Sequence, residues 1–251
     1  MDLRYEELTY EELAQAAREN YLVVLPAGCT EQQGPHLPAN ADTFLLTLNL
    51  TNAAKKLREE GVNVLLLPAL PYGPAWEHMA FGGTISISYE THIRIVTEIL
   101  DSLVQQGFRR LVVAEACGGH HLHPAAMEAR YHARQAGKSV AIWRIPAGGR
   151  AWRPLLKEAF GYMPRDFHAG ALMTSIYMYA RPEAVRRDKL GKWDQGSIDS
   201  MLAWFTEETS PNGSGDPSGA SAEAGERLAS LLCEWYYGHL KRMATLAIPG
   251  D

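Results

Sequence analysis

The sequence predicts an α/β protein built on a central, mostly parallel sheet, and three observations carry that expectation. Short apolar runs alternate with longer stretches of helical periodicity along the first 145 residues. The runs are apolar throughout, as strands covered on both faces should be. The chain has 251 residues, 46% hydrophobic and 21% charged, enough for one sizeable core, so residues 1–251 are read as one three-layer domain.

The elements follow in order. Thr9 and Glu12 form a capping box that opens a helix through about Arg18. Tyr21 to Pro26 is a buried strand. Asp42 caps a second helix running to about Glu60, where Gly61 stops it, and Val62 to Leu67 is the next strand. A helix from about Glu90 to Gln106 ends at Gly107; Arg110 to Ala116 is a strand, Pro124 to Gln135 a helix and Ser139 to Ile145 a strand. Beyond Pro146 helices are expected at Gly170 to Ala180, Ser197 to Thr206 and Ala220 to Leu246. Ser210 to Gly219, rich in turn residues, is read as a surface loop.

Composition excludes several function classes. Lys plus Arg number 24 against 29 Asp plus Glu, a net charge of -5, so no basic field exists for nucleic acid or an anionic membrane. No apolar run approaches the roughly 20 residues of a membrane span, and the acidic start is unlike a secretory signal. Cys29, Cys117 and Cys233 are odd in number and far apart, which argues against a disulfide framework and for a reducing, cytoplasmic setting.

In an open parallel sheet, ligands gather at the carboxyl ends of the strands. The loop after the first strand brings together Glu31, His36 and Asp42; the loop after the third offers Cys117, Gly118, Gly119, His120, His121 and His123. Carboxylate, imidazole and thiolate are what zinc or a related divalent ion takes, and hydrolysis is the natural chemistry of such a centre. Spacing alone leaves open that Asp42 only caps its helix and that the histidines are solvated. Cys117 has three readings: an inert thiol, a metal ligand, or a nucleophile with the Gly118 and Gly119 amides as oxyanion hole.

At these residues the sequence resembles the creatininase (creatinine amidohydrolase) family. The likeness runs through Glu31-Gln-Gln-Gly-Pro-His-Leu-Pro38 with Asp42, then Tyr72 to Ser86 ending in Gly-Thr-Ile-Ser, then Cys117-Gly-Gly119. It continues in His168-Ala-Gly170 with Thr174-Ser175, and in Gly215-Asp-Pro-Ser-Gly-Ala220 with Gly225. The resemblance implies the creatininase fold, a two-metal amidohydrolase ancestry and a homo-oligomer, a hexamer by family expectation. Carried over, one ion would be held by Glu31, Asp42 and Cys117, the thiol standing where the family has histidine. The second ion's histidine falls on Gln33 and its remaining acid on Gly119, while acids of a later motif fall on Ala171 and Met173. One ion is therefore expected, zinc or another divalent metal.

His168 matches a family histidine that shuttles protons near the substrate. His36, His120 and Arg165 are the candidate substrate contacts, His36 also ordering its loop. Pro164 and Arg165 replace the Trp and Asp by which creatininase grips creatinine, so another small substrate is expected, and Arg165 suits an anionic one. The leading expectation is hydrolysis of a C–N bond in a small cyclic amide or formamide-like compound. Two alternatives stand beside it: a metal-independent amidohydrolase, acyl transferase or cyclase with Cys117 as nucleophile, and a non-catalytic binding subunit.

Overall fold

A computed structural model describes residues 1–164, 168–192 and 203–250. Four strands, β1 (Leu22–Ala27), β2 (Val64–Leu66), β3 (Arg110–Glu115) and β4 (Ala141–Ile145), form one all-parallel sheet in the order β2-β1-β3-β4. Around it lie α1 (Tyr10–Arg18), α2 (Ala41–Glu59), α3 (Tyr89–Gln105), α4 (His123–Gln135), α5 (Arg153–Phe160), α6 (Ala171–Ala180), α7 (Thr206–Thr209) and α8 (Ala222–Thr245).

The uniform apolarity of β1 and β3 has a direct cause: successive side chains enter two different cores. Leu22, Val24, Val112 and Ala114 pack with α2, α5, α6 and α8, whereas Val23, Leu25, Leu111 and Val113 pack with α1, α3 and α4. The result is three layers, helices over both faces of a parallel sheet, as the sequence predicts. The register pairs Leu22 with Val64 and with Arg110, which brings the carboxyl ends of β1 and β3 level. Ala116 N then donates to Ala27 O at 2.9 Å and Gly28 N to Leu70 O at 2.8 Å, so the loops after the first three strands are strapped together.

Several details differ from the sequence reading. The capping box of Thr9 and Glu12 forms as expected, but Asp42 does not cap α2. Asn40 holds the cap position, and Asp42 stands inside the first turn, its carboxylate turned to Gln33 rather than to the helix amides. Helix α5 has no counterpart in the sequence reading, although Pro154 in its first turn and Gly161 at its end, at φ 76°, mark its two limits. β1 keeps the expected length but is shifted one residue along the chain, β2 is reduced to the three residues Val64–Leu66, and β3 and β4 are one and two residues shorter than their runs. Of the helix expected over Ser197 to Thr206, residues 197–202 lie outside the described residues, while Ala203 to Phe205 are not helical and α7 begins only at Thr206.

The stretch from Ser210 to Gly219 is no free surface loop. Ser210, Gly213, Ser214, Gly215 and Pro217 are buried. Gly215 N donates to His168 O at 2.5 Å, and a Cβ added to Gly213 would lie 2.7 Å from Gln32 Oε1. Turn residues mark a change of chain direction, not exposure; here they let the backbone press against the loop after β1.

Candidate active site

The loop after β1 is locked before it reaches its functional residues. Thr43, in the first turn of α2, donates through Oγ1 to Cys29 O at 2.8 Å and accepts from Cys29 N at 3.0 Å. A Cβ at Gly28 would lie 2.2 Å from Thr43 Oγ1, so only glycine permits this clamp. Glu31 N donates to Ala39 O at 2.9 Å, and Ile85 N to Thr30 O at 2.9 Å, tying the loop to itself and to the segment after β2.

These restraints drive Glu31 into the interior, where it is 1% exposed. It is the common member of two compact groups of ligating atoms, each within 4.8 Å: Glu31 with His78 and His168, and Glu31 with Cys29 and Asp42. Oε1 lies 3.6 Å from His78 Nε2 and 3.4 Å from His168 Nδ1. Gln33 Nε2 donates to Glu31 Oε1 at 3.1 Å and to Asp42 Oδ2, so one side-chain amide spans the two carboxylates. Glu31 Oε2 is buried without a hydrogen-bond partner among the described residues.

The imidazoles are oriented from behind. His168 Nε2 lies 2.6 Å from Gln32 O, and a carbonyl oxygen only accepts, so Nε2 carries the proton and Nδ1 turns a lone pair toward Glu31. His78 Nδ1 meets Thr206 Oγ1 of α7 at 2.5 Å, leaving Nε2 for Glu31. The two rings stack, centroids 3.9 Å apart and planes 19° from parallel.

Electrostatics mark this cluster as costly for a protein to hold empty. Burial, with Asp42 beside it, pushes the Glu31 carboxyl well above the usual range, and burial raises Asp42 to about 6. Burial depresses His78 to about 2 and His168 to about 4. The thiols of Cys29 and Cys117 are pushed up, by burial first and then by the Asp42 and Glu31 charges. The raised carboxyls and thiols would relax around a divalent cation, which favours carboxylate and thiolate, and the depressed imidazoles already stand in the neutral form that such an ion needs. The donor set and the orphaned Glu31 oxygen therefore fit such an ion.

Of the residues singled out from sequence, Glu31, Asp42 and His168 converge. Cys117 belongs to neither compact group; it is half-buried and within electrostatic reach of both carboxylates. His36 is completely buried, with Nε2 2.8 Å from Thr174 Oγ1 of α6, a position that orders the loop and offers no open face to a substrate. His120 is also completely buried, its ring edge-on to His92 at 4.9 Å. Arg165 lies outside the described residues. Sequence reasoning assigned neither His78 nor Cys29 a role in the site. The Glu77-His78 pair inside the Tyr72 to Ser86 motif was the available signal for the first; Cys29 had none, being a lone thiol two residues before Glu31.

Glu115, at the end of β3, shapes the glycine turn: it accepts from Leu122 N at 2.7 Å and pairs with Arg144 Nε at 3.3 Å. In the segment after β2, the apolar side chains of Tyr72, Trp76, Met79 and Ile85 are all more than 40% exposed.

Comparison with known proteins now bears on this geometry. A family model for creatininase, described as creatinine amidohydrolase, matches residues 6–238. A mycofactocin precursor peptide peptidase from Mycobacterium tuberculosis is 29% identical over 225 residues, 84% of this chain and 81% of that protein. The creatinine amidohydrolase of Pseudomonas putida is 29% identical over 202 residues, 73% of this chain and 74% of that protein. A solved creatininase described as the manganese form superposes with a TM-score of 0.85 at 21% identity, covering 98% of this chain and all of the other, a likeness of fold.

Proposed function

This chain belongs to the creatininase family, and on that premise we propose that it hydrolyses the C–N bond of a small cyclic amide or formamide-like compound at a site built around one divalent cation, zinc or a related ion. Membership places it among hydrolases of C–N bonds; the substrate and the single ion are the finer reading. One observation carries it. Glu31 is buried, shared by two ligand groups, and keeps an oxygen that no described donor satisfies. A buried carboxylate oxygen left bare costs several kcal/mol unless a cation or a proton meets it.

Glu31 and Asp42 would supply the charge that holds the ion, with a thiol from Cys117 or Cys29 beside them. When bound, such an ion supplies Lewis acidity for an amide carbonyl and lowers the pKa of a water. The chain's residues do the rest. Gln33 holds the two carboxylates together through one amide, which keeps their charges aimed at a common point. His168, its Nε2 proton fixed on Gln32 O, has Nδ1 free to take a proton and return it to a departing nitrogen. His78, braced by Thr206, keeps His168 in plane through the ring stack. The helices over both sheet faces leave the carboxyl edge as the route for substrate.

Two observations favour a second reading, a peptide amide as substrate: the exposed apolar side chains Tyr72, Trp76, Met79 and Ile85 in the segment after β2, and the peptide peptidase among the relatives. Turnover of a panel of hydantoins, dihydropyrimidines, formamides and short peptides decides between them. Activity lost to dipicolinate and restored by zinc or manganese supports the metal reading. Activity indifferent to chelator and lost on alkylation of Cys117 makes that thiol a nucleophile instead, and binding without turnover of any amide leaves a non-catalytic subunit.

A further inference from the structure

Cys29 is buried for a reason that packing does not supply. It is 1% exposed, yet it belongs to neither of the two apolar cores that flank the sheet. A buried thiol is most often a small hydrophobe set among hydrocarbon. This one stands against charge instead: its Sγ, a carboxylate oxygen of Glu31 and one of Asp42 all lie within 4.8 Å of one another. Its backbone is fixed there, because Thr43 Oγ1 grips both the N–H and the carbonyl of Cys29.

Two groups of ligating atoms meet at Glu31, and hydrogen bonding tells them apart. Toward the imidazoles, Glu31 Oε1 accepts from Gln33 Nε2 at 3.1 Å and faces His168 Nδ1 and His78 Nε2 at 3.4 and 3.6 Å. Oε2 has no hydrogen-bond partner among the described residues, and it is the oxygen left for the sulfur side. An orphaned, buried carboxylate oxygen next to a thiol and a second carboxylate is a donor set that a cation completes. Three atoms no more than 4.8 Å apart share a centre at most about 2.8 Å from each, against about 2.3 Å for zinc to sulfur and about 2.0–2.2 Å for zinc to a carboxylate oxygen, so modest side-chain rotation closes the set. The sulfur then decides which ion is preferred. Two carboxylates alone offer hard oxygen, which suits manganese or magnesium; a thiolate added to them favours zinc, with cobalt and cadmium as its analogues.

We propose that Cys29 is a metal ligand together with Glu31 and Asp42, and that its sulfur makes the site prefer zinc to manganese. On binding, the S–H proton passes to solvent and a sulfur–metal bond takes its place. The inference deepens the single-ion reading of this site and rests on it; ligation is measured without turnover, so the two can fail separately. Full-length protein stripped with dipicolinate is loaded with cobalt(II), whose thiolate-to-metal charge-transfer band in the near ultraviolet reports a bonded sulfur. The expected result is a band in wild type and in Cys117→Ser, absent in Cys29→Ser, which still takes up cobalt in equilibrium dialysis. The preference for zinc over manganese should fall about tenfold or more in Cys29→Ser. Zinc-edge X-ray absorption of Cys117→Ser protein leaves Cys29 untouched and should find one sulfur about 2.3 Å from the ion; this spectrum decides if Cys29→Ser takes up no metal. A band that survives in Cys29→Ser and vanishes in Cys117→Ser would make the glycine-turn thiol the ligand and overturn the proposal. So would zinc or cobalt bound to wild type with no sulfur neighbour, or no ion bound at all. If Cys29 ligates zinc and no amide is cleaved, the hydrolase reading fails and the ligand stands; if amides are cleaved with an ion that no sulfur touches, the ligand fails and the hydrolase reading stands.

Discussion

The interior of the sheet and its carboxyl edge are a few residues apart along β1, yet they are built on opposite terms. Leu22 to Leu25 bury only hydrocarbon, and each side chain meets a complementary face of α2 or α3. Six residues beyond Leu25, Glu31 is buried just as deeply among a thiol, a second carboxylate and two imidazoles, with one oxygen unmatched. The first arrangement is stable as it stands. The second is held in place by the first, by the Thr43 clamp and by the straps between loops, and is completed only when something positive enters. Stability and chemistry are thus assigned to different stretches of the same strand and loop.

That contrast can be broken from either side. Replacing Glu31 by Ala should reduce amide turnover by about a thousandfold, within the range of lost acid–base and electrostatic catalysis, while leaving the fold intact; a kinetic assay beside a melting curve checks both halves. The core should respond in the reverse sense. Leu100→Ala, in the wholly buried face of α3, should cost about 3 kcal/mol in denaturant unfolding, and the surviving folded fraction should retain full kcat.

Acidity probes the same division in protein stripped of metal. The imidazoles of His36, His78, His92, His120 and His168 are held by burial at about 4, 2, 4, 3 and 4, below the ordinary 6.5. Between those values and 6.5 the unfolded chain binds more protons than the folded one, so the stability they confer is lost as pH falls through that interval. Asp42, raised to about 6, and Glu31, raised also, act with opposite sign: their folded forms hold protons the unfolded chain has released, which favours folding as pH drops through 6. His239 is lowered as well, and Glu77 and Glu115 are raised with Glu31 and Asp42, so six lowered imidazoles against four raised acids predict a net fall in melting temperature from pH 6.5 to pH 4. A smaller effect follows for Glu31→Gln without metal: removing the ionisable acid should raise stability by about 1 kcal/mol, and a loss of that size would place Glu31 among the stabilising elements instead.

Much of this organisation was legible in the sequence. The apolar runs and the capping box at Thr9 specify β1 to β4 and α1 because burial on two faces and helix initiation both depend on local residue type. Glu31, Asp42 and His168 stood out because loops at strand ends collect chemistry. What sequence could not supply was direction. Asp42 looks like a cap at any helix start, and only the approach of Gln33 turns it inward. His78 is recruited by stacking on His168, 90 residues away, and His36 and His120 are withdrawn into the interior by Thr174 and His92. The stretch from Ser210 to Gly219 has the composition of a free loop because turns need the same residues wherever they lie.

The central claim is that Glu31 is the hub of a cation site, and anomalous scattering from crystals of protein purified without chelator tests it most directly. The account predicts a peak at a metal edge bonded to Glu31 and Asp42, absent in Glu31→Gln. Crystals of fully active enzyme with no anomalous peak beside Glu31 would contradict it.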